Sequence, residues 1–336
     1  MDKTYYELPE LHSRFAEFIV SFVRLKRGEG FKYNTEARLL ARLDRFCHEK
    51  HPDEPFDRRL VDDWTGRKGY ERFRTQVGRI FLAGQFARYL RAHGVDAYVP
   101  PPLSRVRSKM HSYVPHIYTD RELSALFAAA DSWERTAVSP RLHLMLGVFL
   151  RLLYSCGLRL REALDLKVGD VDLDRCVLSV FNGKFHKSRY VPFGESLRKR
   201  LLDYKTKAGM GKDGDAPFFS PPHGGCYSNS TIQSHFRKLL WKAGMSFGGR
   251  GKGPRIHDFR HTFAVRRLLK WSEEDRDLNV LYPYLSAYLG HESLSSTQHY
   301  LRLTVDAFPL IARKTQRLSS QIIPRIDTWE VQDADN

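Results

Sequence analysis

The sequence predicts a mostly α chain with a small antiparallel sheet (α+β), divided into two domains. Three observations carry this. Apolar residues recur at helical spacing through the first hundred positions, and a proline-rich stretch then interrupts the pattern. Further on, CVLSVFNGKFHKSRYVPF alternates β-branched and aromatic residues around an Asn-Gly-Lys turn. A length of 336 residues suits two cores, because single cores commonly split beyond roughly 250 residues.

Leu11, Phe15, Phe18, Ile19, Phe22 and Val23 share one face of a first helix, and Leu39, Leu43 and Phe46 mark a second. A third helix is expected over 57–66 and a fourth over 71–93. In the fourth, Phe73, Val77, Ile80, Phe81 and Leu90 form the apolar stripe, Arg72, Arg79, Arg88 and Arg91 fill the remainder, and His93-Gly94 is the stop. Residues 1–100 therefore read as a four-helix module with basic outer faces. The following VDAYVPPPLSRVRSKMHSYVPHIYTD holds four prolines, which a continuous helix does not tolerate, so 101–116 reads as a linker. Thr119 and Glu122 form a capping-box pattern ahead of an apolar run and open the second domain, 117–312. It continues with an apolar helix over about 140–154 and a short helix containing Arg159 to Leu166. The lysine-tipped β-hairpin comes next, then helices from 230 onward around the glycine-rich loop SFGGRGKGPRIH. Residues 313–336 are left as a C-terminal tail.

Lys and Arg number 55 against 39 Asp and Glu, a net charge of +16; removing the −4 of the last ten residues leaves +20 on residues 1–326. Such an excess favours a polyanionic partner, since neutralising phosphates releases condensed counterions. There is no apolar run near 18 residues and no signal-peptide pattern, so the expectation is a soluble protein of the cytoplasm or nucleoid, without a membrane partner. Cys47, Cys156, Cys176 and Cys226 stand far apart without a C-x-x-C pair, which argues for free, mostly buried thiols. His257 and His261 have i,i+4 spacing, but Asp258 stands where H-E-x-x-H needs glutamate, so no metal site is expected. GGRGKG lacks P-loop spacing.

H-x-x-R pairs occur three times, at His186/Arg189, His257/Arg260 and His299/Arg302, about as often as chance allows, so context must select among them. His257 follows a basic glycine-rich loop at a helix start, where backbone N–H groups favour an anion. Arg159, in SCGLRLREAL, is a second guanidinium able to fork onto phosphate oxygens, and Glu162 lies three residues on, on the same face, able to hold it. The stretch GHESLSSTQHYL sets His291 nine residues before Tyr300; alone, Tyr300 is one of 16 tyrosines.

Taken in order, GLRLREAL, GKFHKSRYVPF, HDFRHTFA and LGHESLSSTQHYL resemble the four boxes of the tyrosine recombinase (phage integrase) family. The resemblance covers roughly 118–312. It implies a catalytic domain at 117–312, a core-binding domain at 1–100, and a two-domain DNA clamp. It also implies that Tyr300 attacks a scissile phosphate to form a 3′-phosphotyrosyl bond without metal, ATP or other cofactor. Arg159 and Arg260 would bind nonbridging oxygens, His257 would be general base or hydrogen-bond partner, and His291 would bond the phosphate. Lys184, or Lys187 in its place, would protonate the leaving 5′-oxygen, and Glu162 would support Arg159. Candidate DNA contacts are Arg72, Arg79, Arg105, Arg107, Lys109, Lys187, Arg250 and Lys252. The implied partners are double-stranded DNA, further copies of the chain, as a tetramer in the synapse, and accessory recombinases. The 31 residues from Arg260 to His291 exceed the usual family spacing, with the surplus in WSEEDRDLNVLYPY (271–284). That lengthening resembles mobile-element enzymes; the stretch reads either as a surface excursion or as a contact between protomers. The rival functions are a type IB topoisomerase and an inactive DNA-binding accessory.

Overall fold

Eleven α-helices, a 3-10 turn at Val168–Asp170 and three short strands make up the regular structure in a computed structural model that describes residues 5–69, 71, 73–101, 114–137, 139–181, 188–211, 213–249 and 253–290. These residues fall into two compact units, divided between Tyr113 and Val114. The division lies inside the stretch read as a linker. No helix among the described residues is long and apolar enough to cross a membrane.

In the first unit, α1 (Ala16–Gly28), α2 (Asn34–Lys50), α3 (Arg58–Thr65) and α4 (Phe73–Ala92) enclose one core. Phe15, Ile19, Phe22 and Val23 are buried from α1 and its lead-in, as their spacing predicts, and Leu40, Leu43 and Cys47 from α2. Asp57 starts α3 by accepting a hydrogen bond from the Leu60 N–H at 2.9 Å. Buried Asp44 accepts from the His12 N–H (2.9 Å), the Ser13 N–H (3.0 Å) and the Ser13 hydroxyl (2.6 Å), which fixes the chain entering α1. The stripe of α4 departs from expectation. Phe81 is 61% exposed, and Leu82, Ala83, Phe86, Ala87 and Leu90 face the core. Small residues, which carry little weight in a reading of apolar spacing, supply the close-packed side of the helix.

Arg79 requires a correction, because its side chain lies inside the unit rather than on a basic outer face. Its guanidinium donates to the Trp64 carbonyl, to the Gly66 carbonyl at 3.0 Å, and to the buried Glu71 carboxylate. A guanidinium so enclosed has its donors turned inward and serves packing.

The second unit is organised on α6 (Leu142–Cys156), which is apolar on nearly every side and therefore central. Against it pack α5 (Asp120–Asp131), α7 (Leu160–Leu164), α8 (Glu195–Lys207) and α10 (Asp258–Glu273). Helix α9 (Asn229–Lys242) lies on α5, and α11 (Leu278–Leu289) lies on α10 and on the sheet. The expected capping box forms, with Thr119 Oγ accepting from the Glu122 N–H and Glu122 accepting from the Thr119 N–H. Strands β1 (Val171–Asp172), β2 (Val177–Val180) and β3 (Arg189–Pro192) are antiparallel in the order β1-β2-β3. Leu178 pairs with Val191 and Val180 with Arg189. The lysine-bearing tip between β2 and β3 lies outside the described residues. Helix α8 is not among the expected elements, although Leu197, Leu201 and Tyr204 bury at helical spacing.

The stretch 271–284 is built into the fold: it completes α10, turns at Asp275 (φ 53°) and begins α11, whose Leu278, Leu285 and Leu289 join a core with Phe263 and Leu268. All four cysteines are free, with Cys47 and Cys156 buried, Cys176 half-buried and Cys226 exposed. Burial pushes the Cys47 and Cys156 thiols up to about 12, which leaves both unreactive at neutral pH.

Replacing Arg79 by Met leaves Glu71 buried without its cation. The expected result in chemical denaturation is a loss of roughly 3 kcal/mol, with no change in the salt dependence of DNA affinity in the same variant.

Candidate active site

The site begins where α6 stops. Gly157 takes a left-handed conformation (φ 59°), and a Cβ there would sit 2.6 Å from the Phe263 ring of α10, so only glycine lets the two helices close at this point. The turn brings Arg159 to the N-cap of α7 in an extended conformation. Its backbone N–H donates to Glu162 Oε2 at 2.9 Å and its Nη1 to Oε1 at 2.6 Å, which is the support expected from their spacing. Its Nη2 donates to the Gly290 carbonyl at 2.8 Å, and the side chain remains 30% exposed.

Glu162 is only 7% exposed and accepts from a second guanidinium as well. Arg189, at the start of β3, donates from Nη1 to Oε1 (3.1 Å) and from Nη2 to Oε2 (2.8 Å). Burial alone would raise the Glu162 carboxyl. The hydrogen bonds and charge of Arg189, with the Arg159 N–H and guanidinium, overcome that and hold it at about 2. Arg189 also donates from Nε to the Tyr288 carbonyl at 2.7 Å.

Arg260, on the first turn of α10, is 1% exposed and donates from Nη1 to the Gly157 carbonyl (2.8 Å) and from Nη2 to the Leu289 carbonyl (2.5 Å). Its helix is held by Tyr118, whose N–H donates to Thr262 Oγ1 at 3.0 Å and whose hydroxyl donates to the Arg255 carbonyl at 2.9 Å. The Tyr118 ring stacks on Phe259 at 4.9 Å. Arg189, Arg260 and Arg159 thus each take one of three consecutive carbonyls, 288, 289 and 290, where α11 ends. Terminal helix carbonyls lack intrahelical partners and carry the negative end of the dipole, so cations are their natural complement.

His257 is the N-cap residue of α10, edge-on to His261 with ring centroids 5.0 Å apart. Part of the residue reaches solvent. Even so, desolvation of the ring by the surrounding protein, followed by the charges of Arg260 and Arg159, pushes its pKa down to about 4. The imidazole is therefore neutral at pH 7 and able to accept a proton. Three guanidinium groups against one carboxylate leave +2 at this point, suited to a phosphodiester with two nonbridging oxygens.

Of the residues singled out in the sequence, Arg159, Glu162, His257 and Arg260 come together here, and Arg79 lies in the other unit's interior. Lys184, Lys187, His291, Tyr300, Arg72, Arg105, Arg107, Lys109, Arg250 and Lys252 lie outside the described residues. Arg189 was missed, its H-x-x-R pair with His186 being one of three that spacing alone does not tell apart. The available signal was strand alternation, which puts Arg189 on the same inward face as buried Val191.

Residues 117–306, more than half of the chain, match the phage integrase family. "Putative integrase/recombinase y4rB" of Sinorhizobium fredii is 29% identical over 316 residues, spanning 91% of this chain and 98% of that protein. Tyrosine recombinase XerC of Bacillus pumilus is 34% identical over 206 residues, 59% of this chain and 61% of that one. Among solved structures, the Tn1549 transposon integrase in complex with transposon right end DNA superposes with a TM-score of 0.61 at 15% identity. That superposition covers 90% of this chain and 99% of the other. XerH recombinase in a post-cleavage complex gives 0.59 at 17% identity, over 86% and 79%. These structural likenesses speak for the fold, and the family match spans the positions from Arg159 to Tyr300: the chain belongs to the phage integrase family.

Proposed function

We propose that this chain is a site-specific DNA recombinase that cleaves and rejoins duplex DNA through a 3′-phosphotyrosyl bond to Tyr300, without metal or ATP, in the integration, excision or transposition of a mobile element. The observation that carries the reading is the convergence of Arg159 and Arg260 on adjacent carbonyls beside a neutral His257. Arg159, whose side chain is 30% exposed, takes a nonbridging oxygen, and Arg260, buried with Nη1 and Nη2 on carbonyls, adds its positive charge to stabilise the pentacoordinate phosphorus. Tyr300 Oη bonds to phosphorus as the P–O5′ bond breaks. The tyrosine proton passes to His257, and Lys184, or Lys187 in its place, gives a proton to the departing O5′. The phosphodiester charge raises His257 above its resting value, so the ring is better able to hold the proton it receives. His291 follows directly on Gly290, the last carbonyl held by an arginine, and is assigned to the phosphate.

In this reading each of the two units, divided between Tyr113 and Val114, binds the duplex. Four protomers on paired sites form the synapse. The mobile-element role is supported by the similarity to integrase/recombinase relatives along nearly their whole length.

The decisive substrate is a nicked duplex carrying the site where the gene's genomic segment joins flanking DNA, found by junction sequencing. Wild-type protein is expected to be trapped on it as a covalent adduct and Tyr300→Phe to give none. On a plasmid with two such sites, connectivity should change; a change in linking number alone would indicate a topoisomerase. In analytical ultracentrifugation with paired sites, tetramers are expected, and monomers alone would remove the synapse.

The resting state of His257 also sets a dependence on pH. Its folded pKa lies below the ordinary 6.5, so its protonation opposes folding and stability falls as pH drops from about 6.5 through 4. The ring's NMR resonances in DNA-free protein should titrate near pH 4 and move to higher pH on binding the site duplex.

A further inference from the structure

We infer that Arg189 is a positioning residue of this site, tying the Glu162 carboxylate that holds Arg159 to the Tyr288 carbonyl at the end of α11. This rests on the proposed reading of the site and adds a residue that the four sequence boxes do not assign.

Register supplies the first argument. Arg189 pairs with Val180 across the sheet and shares the inward face with Val191, so β3 delivers its guanidinium beneath the site. Its side chain is 11% exposed, and Nε, Nη1 and Nη2 are all committed, to Tyr288 and to both oxygens of Glu162. It is thereby turned away from substrate, whereas Arg159, on the same carboxylate, keeps 30% of its side chain open. Only a planar fork can meet two carboxylate oxygens and a carbonyl together; a lysine keeps the charge and loses the geometry.

The second argument is the end of α11. Gly290 turns the chain in the left-handed region (φ 65°), and a Cβ there would stand 2.9 Å from Arg189 Nη1. Arginine and glycine are therefore fitted to each other: the turn is closed tightly because the guanidinium lies under it. Since Arg260 and Arg159 take the next two carbonyls, loss of Arg189 frees one of the three ties and one side of Glu162. The groups expected to contact phosphate then lose their relative placement.

Hydrogen exchange on the full-length, DNA-free protein is the first test. Arg189→Lys and Arg189→Met are expected to speed exchange in the last turn of α11 about tenfold, the scale of one lost hydrogen bond, while α5 and α6 keep wild-type protection. Unchanged exchange in α11 would overturn the inference whatever the protein does to DNA. On the nicked site duplex, both variants should bind within about threefold of wild type yet form adduct about 100-fold more slowly, the scale of an ångström's misplacement. The acid limb of the cleavage rate should move to higher pH, because Glu162 has lost a partner that lowered its pKa. Glu162→Gln should remove that shift and leave the limb set by His257, and adding Arg189→Met to it should cost little more. A loss confined to DNA affinity or to thermal stability, with the cleavage profile intact, overturns the inference. If Arg189→Met does not fold, Arg189→Lys, which keeps the charge and loses the planar fork, asks the same question. A wild-type protein that forms no adduct defeats the Tyr300 reading instead, and the exchange result still decides the inference about Arg189.

Discussion

A single buried carboxylate allows the rest of the site to exist. Arg159 and Arg189 arrive from different elements, and without Glu162 between them two cations would repel across a poorly solvated gap. Glu162 removes one unit of charge and fixes both forks by their hydrogen bonds, so attraction for an anion is kept while the cations stay packed. The ends of the surrounding helices complete the balance. The last carbonyls of α11 face the guanidinium groups, and the carbonyl of Gly157 receives Arg260. Donors ordered in advance need little rearrangement when charge develops on a substrate, which is where electrostatic stabilisation is most effective.

The same side chain serves opposite ends in the two units. Arg79 is enclosed by two carbonyls and Glu71 and contributes to packing alone. Arg159 has a comparable partner set, one carboxylate and one carbonyl, but stands at the mouth of a turn with part of its surface open. Chemistry therefore follows from where the backbone leaves a guanidinium uncovered. Gly157 determines that for Arg159, through a left-handed turn that no other residue could make against Phe263.

Much of this was legible in the sequence, and the parts that were not have physical reasons. Long amphipathic helices, the Thr119 capping box and the alternation of β2 and β3 are local patterns set by neighbours three, four or two residues away, so the chain itself displays them. The Arg159 to Glu162 pair is also local. Arg79 was misplaced because a charged residue on a helix is usually solvated, and its enclosure depends on Glu71 and the end of α3, beyond any helical repeat. Helix α8 escaped because Leu197, Leu201 and Tyr204 stand amid many charges, which blunts the contrast between its faces. The stretch 271–284 read as surplus because its acids and aromatics mask the leucines that seat α11. Arg189 escaped because its acceptors include a main-chain carbonyl, and main-chain groups leave no signature in side-chain identity.

The bonds that close the site span large distances along the chain: Arg159 meets Gly290 across 131 residues, Arg260 meets Gly157 across 103, and Arg189 meets Tyr288 across 99. Contacts of such separation are the slow, late ones in folding, since loop closure must be completed before they form. On the ribosome, α11 is the last described helix to emerge. A nascent or partly folded chain can therefore have its helical core in place while its guanidinium groups are still apart. A DNA-cutting centre that is complete only when the whole unit is complete is one that an unfinished copy of the protein cannot use.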